Sequence, residues 1–253
     1  MLAAAALVPD TVLLLPGAAG RGPDDPELVA LRSAAATAVA RAVERAPRVV
    51  VVAPGSVDRS VVGVVRAGAG AAGVPDHLLA DEVPQVRLGP APGGPPDVPG
   101  PPGTGAVTGL RLALDAGVPP ERLHVVEVAP GRVAPLRAVG AAASAVGPTA
   151  LVVVGSGAAR HGQDAPLPHD ERAAGLEHAL LAAFRAGGAA ARDALAGLDV
   201  AQAVALGVTG WAPWQVLVGA LDAGGAEVPA PEVVHAVVWR GAAHAVVAWQ
   251  GAS

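Results

Sequence analysis

The stretch Leu151-Val-Val-Val-Gly-Ser-Gly-Ala-Ala-Arg-His161 joins a run of branched aliphatic residues to a turn of small ones. A short continuous apolar run bounded by glycine suits a strand buried on both faces, as in a parallel sheet covered by helices. The strand is predicted over Thr149–Val154 and leads straight into Gly155-Ser156-Gly157.

The same pattern recurs outward from this point. Leu2–Val8 is a continuous apolar run closed by Pro9-Asp10, Arg48–Ala53 is stopped by Pro54-Gly55, and Leu123–Val128 is a further strand. Val61–Val65 and Val83–Leu88 are shorter candidates. Between the runs lie Ala-rich segments with apolar residues at helical spacing: Glu27–Ala46, Val133–Val146, Asp170–Ala186, Ala189–Ala196 and Ala212–Ala223. Thr104 is placed to cap a helix running to about Ala116 and ended by Gly117. Two final runs, Val233–Trp239 and Ala243–Trp249, are joined by Arg240-Gly241, a hairpin signature. Strands alternating with helices define an α/β fold: a mixed, mostly parallel central sheet with helices on both faces and a C-terminal β-hairpin. The expected organisation is one domain over residues 1–253, with a Pro/Gly-rich surface loop at about 89–103.

Composition excludes several functions. The 253 residues are 52% hydrophobic and only 2% aromatic, so the core is built from small and branched aliphatic groups. Every basic residue is Arg; with the Ala, Gly, Pro and Val excess, this looks like the coding bias of a GC-rich bacterial genome. The net charge is -5 and no basic stripe appears, which argues against nucleic acid as a partner. Cysteine is absent, which excludes disulfides and thiolate metal sites. No apolar stretch reaches the ~18–20 residues of a membrane span. The N-terminal run has no basic flank and reads as a strand rather than a signal peptide. A cytoplasmic protein is the expectation.

In a sheet of this kind ligands collect at the carboxyl ends of the strands. Asp10, Gly55, Ser56, Ser156 and Gly157 are the candidate pocket residues, with His161 just beyond as a candidate acid/base. Backbone N–H groups of the small-residue turn suit an anionic oxygen, so the expected ligand is a small acidic or phenolic molecule. A Ser156–His161–Asp164 hydrolase is an alternative, although Gly-Ser-Gly lacks the Gly-x-Ser-x-Gly elbow. His235 and His244, on the hairpin, read as packing residues, and His169 and His178 as exposed ones. Trp211 and Trp214 read as anchors of a helix start. The small-residue composition and an exposed Trp-containing hairpin suggest a homodimer.

From His124 to His161 the chain resembles the second half of the class III extradiol ring-cleavage dioxygenases, the LigB-like group. The shared features are a strand, a Pro-containing turn, a helix carrying Val139-Gly140, a strand, and a Ser-Gly followed by His. Val8-Pro9-Asp10 through Leu15-Pro16 resembles the Pro-His-Pro-Pro-Leu-Leu opening of that superfamily. Asp170-Glu171-Arg172 and Gly210-Trp-Ala-Pro-Trp-Gln215 resemble an uncharacterised bacterial subgroup. The resemblance implies that His161 occupies the family's acid/base position. It also implies an Fe(II) site of two His and one Glu, a facial triad with open positions for substrate and O₂. Here the first His falls at Asp10, the second near Gly55 or Ser56, and the Glu around Gln202–Ala205, where no carboxylate exists. Asp76 and His77 are the candidate replacements. The resulting expectation is a LigB-like protein without the iron site and without a cofactor, binding a small molecule or a partner in the ancestral pocket. An active Fe(II) ring-cleavage enzyme with an altered ligand set is the alternative.

Overall fold

The computed structural model describes residues 1–20, 25–44, 46–225 and 228–250. The apolar runs form strands where the pattern places them: β1 (Leu2–Val8), β2 (Arg48–Pro54), β6 (Leu123–Val128) and β7 (Thr149–Val154). These four lie side by side and parallel in the order β6-β2-β7-β1. On the far side of β6 lies β3 (Arg59–Arg66), antiparallel to it, and next to β3 lies β4 (Gln85–Leu88), antiparallel to β3. Beyond β1 lie β9 (Ala242–Gln250) and, at the sheet edge, β8 (Glu232–Trp239), again antiparallel. The Pro/Gly-rich segment 89–103 is not wholly loop, since β5 (Asp97–Pro99) pairs with β3.

Alternate side chains of the parallel strands face opposite layers, as the period of two requires. Ala4, Ala6, Val51 and Val152 pack beneath α1 (Pro26–Glu44) and α2 (Thr104–Asp115). Position 45 of the predicted Glu27–Ala46 helix lies outside the described residues. Leu7, Val52, Leu151 and Val153 face the other layer. That layer comprises α3 (Val133–Ala145), α4 (Arg172–Ala186), α5 (Gly188–Gly197), α6 (Val200–Leu206) and α7 (Trp211–Ala223). Among the described residues, no helix is long and apolar enough to cross a membrane.

Three local readings are corrected. Thr104 does not cap α2: Gly103 holds the cap position without a side-chain bond, and the Thr104 carbonyl accepts from Thr108 Oγ1. The short α6 has no counterpart in the sequence reading; Asp199 caps it by accepting from Gln202 N–H. The hairpin does not present its tryptophans to solvent. Trp249 is 1% exposed and meets Phe184 edge-on, and Trp239 is half-buried, donating Nε1–H to Asp25.

Buried α7 reaches its place because α3 lets it come close. A Cβ on Gly140 would stand 1.8 Å from the Val216 carbonyl oxygen, and one on Gly219 would stand 2.0 Å from that of Arg137. The two backbones therefore touch where any side chain would separate them. Gly140→Val is expected to lower unfolding free energy by about 3 kcal/mol or more, the upper range for overpacking. Gly175→Ala, in open space on α4, is expected to raise it by up to about 1 kcal/mol through helix propensity. Urea denaturation of both variants checks the opposite signs.

Candidate functional site

The register of three strands assembles the site. Val8 pairs with Val154 in the parallel ladder between β1 and β7, so Asp10 and Ser156, each two residues on, come level. Leu7 pairs with Val247 in the antiparallel ladder between β1 and β9, which sets His244 level with Asp10 on the other side. One carboxyl, one hydroxyl and one imidazole thus meet just past the strand ends.

Ser156 Oγ donates to Asp10 Oδ1 at 2.6 Å and lies 3.3 Å from His244 Nδ1. The Asp10 N–H also approaches Ser156 Oγ, at 3.4 Å. A hydroxyl has one proton, and the short bond to Asp10 uses it. The imidazole must therefore donate from Nδ1, leaving the Nε2 lone pair as its acceptor. Burial lowers the pKa of His244, and the nearby Asp10 charge only partly opposes this, so the neutral ring is favoured near pH 7. The three groups form a directed chain, His244 Nδ1–H to Ser156 O–H to Asp10.

Further hydrogen bonds fix the backbone around these three groups. The Ser156 N–H donates to Thr209 Oγ1 at 2.9 Å, and its carbonyl accepts from Gly210 at 3.1 Å. Gly157 donates to the Ala243 carbonyl and Ala243 donates to that of Ala158, both at 2.9 Å, stitching the β7 loop to the free side of β9. Glu177 accepts from the Ala158 N–H at 2.9 Å, and burial raises its pKa. A Cβ on Gly157 would fall 2.1 Å from Glu177 Oε1, so only glycine lets the carboxyl sit against this turn.

Asp10, Ser156, Gly157 and His244 line a cavity of about 330 Å³, with Leu13, Pro166 and Trp239 among its apolar walls and Arg240 beside them. The Arg240 guanidinium stacks over Trp239, 5.0 Å from the ring centroid. Gly55 and Ser56 line a separate cavity of about 830 Å³ at the ends of β2 and β6. Its floor holds Glu127, 3% exposed, which accepts from Arg59 Nε and from the Gly103 N–H, both at 2.6 Å. The first turn of α2 stands between the sites: a Cβ on Gly105 would touch both Pro54 and Asp10, at 3.0 and 3.3 Å.

The candidate residues are therefore divided. Asp10, Ser156 and Gly157 come together, whereas Gly55 and Ser56 belong to the neighbouring cavity. His161 lines neither; its backbone N–H closes the loop onto the Gly241 carbonyl at 3.0 Å, and burial followed by the charge of His169 lowers its pKa. The imidazole in the pocket is His244, read from sequence as a packing residue. The Ser156–His161–Asp164 arrangement is not formed, because Ser156 Oγ is engaged with Asp10 and His244 and Asp164 is exposed. Thr209 was also missed, having no local signature. Asp76 does not replace a metal ligand, since it pairs with Arg66 at 2.6 Å beside an exposed His77.

The residues do not fit the iron triad that the resemblance implies. Asp10 is already bonded to Ser156, Gly55 and Ser56 bring no imidazole, and Gln202–Ala205 lies in α6 without a carboxylate. Among the described residues, no group of three or more His, Asp or Glu side chains is placed to hold a metal ion.

No family model matches the sequence, and no curated protein is similar to it. Among solved structures, the fold is similar to that of an uncharacterized protein, JW3007, from Escherichia coli K12. The two share 13% identity with a TM-score of 0.53, over 97% of this chain and 99% of the other. At that identity the likeness shows the fold alone, a mixed α/β sheet that ends in a strand pair.

The imidazoles make a pH prediction. The pKa values of His244, His124 and His161 are all lowered from 6.5 by burial, so the unfolded chain binds their protons more readily. Stability from this source is full above pH 6.5 and falls as pH drops below it. Thermal melts between pH 8 and 5 are expected to show that loss, with His244→Gln shallower than the parent; identical slopes would remove His244 from the titrating set.

Proposed function

We propose that the chain is a LigB-like protein, related to the class III extradiol dioxygenases, that binds a small phenolic or enolic molecule without iron chemistry. The observation that carries this reading is the Asp10–Ser156–His244 chain, which occupies the strand-end place where the resemblance calls for metal ligands. A single carboxylate and one imidazole, both engaged with a serine, serve better as a proton-accepting and orienting device than as an iron site.

The cavity has the matching chemistry. About 330 Å³ lies at the small end of ligand pockets, which run from about 300 Å³ upward, and suits one substituted ring. Leu13, Pro166 and Trp239 offer apolar contact. The ligand's hydroxyl donates to the Nε2 lone pair of His244, and Arg240 favours negative charge developing on that oxygen. Ser156 fixes the ring orientation by accepting from Nδ1 and passes the polarisation on to Asp10. The acid/base role goes to His244 in this reading, and His161 is a loop-closing residue. The proposed setting is cytoplasmic, with which a composition free of cysteine is consistent.

Isothermal titration with phenol and catechol, in the presence of EDTA, tests the reading. Saturable binding is expected, unchanged by EDTA and at least tenfold weaker in His244→Ala. Protein purified anaerobically with Fe(II) is expected to retain no stoichiometric iron. Fe(II)-dependent O₂ uptake with catechol, or no saturable binding of either compound, contradicts it.

A further inference from the structure

β2 and β6 lie side by side and parallel, yet the chain leaves them for opposite layers. The next helix after β2 is α2, which packs on the face that α1 covers, and the next after β6 is α3, on the other face. In an open α/β sheet, ligands bind in the crevice beyond the strand ends at such a reversal. The cavity of about 830 Å³ lies at this crevice and shares no lining residue with the Asp10–Ser156–His244 pocket.

The polar groups of this cavity are oriented by their own bonds. Arg59 donates from Nε to Glu127 and from Nη2 to the Pro101 carbonyl at 2.8 Å, which fixes the plane of its guanidinium. Arg66 donates from Nε to Asp76 Oδ2. Glycines let both carboxylates sit against the wall. A Cβ on Gly55 would stand 2.8 Å from Glu127 Cβ, and one on Gly68 would collide with Asp76 Oδ1. A guanidinium carries five N–H donors and a carboxylate none. After these bonds, three N–H groups of Arg59 and four of Arg66 meet no acceptor among the described residues. The charges of the two pairs cancel, but donors remain in excess.

Excess donors call for a ligand rich in acceptor oxygens. A phosphate ester presents three, one more than a carboxylate, and guanidinium forks match it bidentately. The volume falls well inside the range of organic-ligand cavities, roughly 300–1,000 Å³, so the anion has an organic body. The walls hold no aromatic ring and no Val, Leu, Ile or Met side chain, and therefore offer nothing to stack on a base or pack an acyl chain. They offer the hydroxyls of Ser56 and Thr104, and the remaining lone pairs of Glu127 and Asp76, as partners for ligand hydroxyls. We infer that this cavity binds a phosphorylated polyol, with its phosphoryl group on the free guanidinium N–H groups and its hydroxyls on the carboxylates, Ser56 and Thr104. The inference stands apart from the phenol reading, because different residues line the two cavities.

Isothermal titration of the full chain with glycerol 3-phosphate, ribose 5-phosphate and glucose 6-phosphate tests the inference. At least one is expected to bind saturably, at least tenfold tighter than its unphosphorylated polyol and than inorganic phosphate. Arg66→Gln, at a side chain 61% accessible, is expected to stay folded and to weaken that binding at least tenfold. Arg59→Lys keeps the charge but loses the fork, and the same weakening is expected. Should Arg59→Lys unfold, Arg66→Gln decides. No saturable binding of any of the three esters overturns the proposal, as does binding unchanged in Arg66→Gln. Inorganic phosphate binding as tightly as the esters, or gluconate as tightly as glucose 6-phosphate, overturns it too.

Discussion

β1 hydrogen-bonds on both sides, parallel to β7 and antiparallel to β9, and the arrangement of the site rests on that double pairing. A strand's register is fixed wherever one residue's slip would turn its side chains to the wrong face. Here both faces are buried, so the register is held by two packed layers at once. The two ladders thereby bring the Asp10 backbone level with Ser156 and His244. The parallel neighbour brings a serine from a turn, and the antiparallel neighbour brings a histidine from within a strand.

The composition sets how the rest is built. With a single Phe and four Trp, the core gains contact by close approach of backbones rather than by large side chains, most plainly where α3 and α7 meet at Gly140 and Gly219. Trp211 and Trp239 sit where the indole N–H finds a partner, and Phe184 and Trp249 where ring meets ring, whereas the buried Trp214 Nε1 has no partner among the described residues. Trp211 donates to the Leu198 carbonyl at 2.7 Å, and Trp249 meets Phe184. Gln215, fully buried in α7, donates to the Leu195 carbonyl and accepts from Arg137, so α3, α5 and α7 are tied by a polar contact inside an apolar layer. Burying such an amide costs little when its donor and acceptor are both satisfied, as here.

The parallel strands were legible because a strand buried on both faces is an unbroken apolar run with a sharp stop, and Pro9, Pro54 and Gly155 supply the stops. Arg240-Gly241 was legible for a similar reason, since both residues take positive φ, 48° and 73°, as a tight hairpin turn requires. The site was only half legible. Asp10, Ser156 and Gly157 sit at strand ends, where local pattern points. His244 does not: its place depends on β9 pairing with β1 from the far end of the chain, a contact no local window records. His161 misled for the converse reason, since a His just past a small-residue turn looks presented to a pocket, whereas the loop carries it onto the hairpin turn at Gly241. Helix α6 is too short, at seven residues, for periodicity to declare it.

The site depends on where the His244 proton sits, because only an Nδ1–H donor agrees with a serine that gives its own proton to Asp10. Nitrogen-15 chemical shifts of the histidine side chains at pH 7.5, with His244→Gln to assign the resonance, measure this directly. A neutral ring protonated at Nδ1 is expected, moving toward an averaged tautomer in Ser156→Ala. A neutral ring protonated at Nε2, or an imidazolium at that pH, contradicts this arrangement.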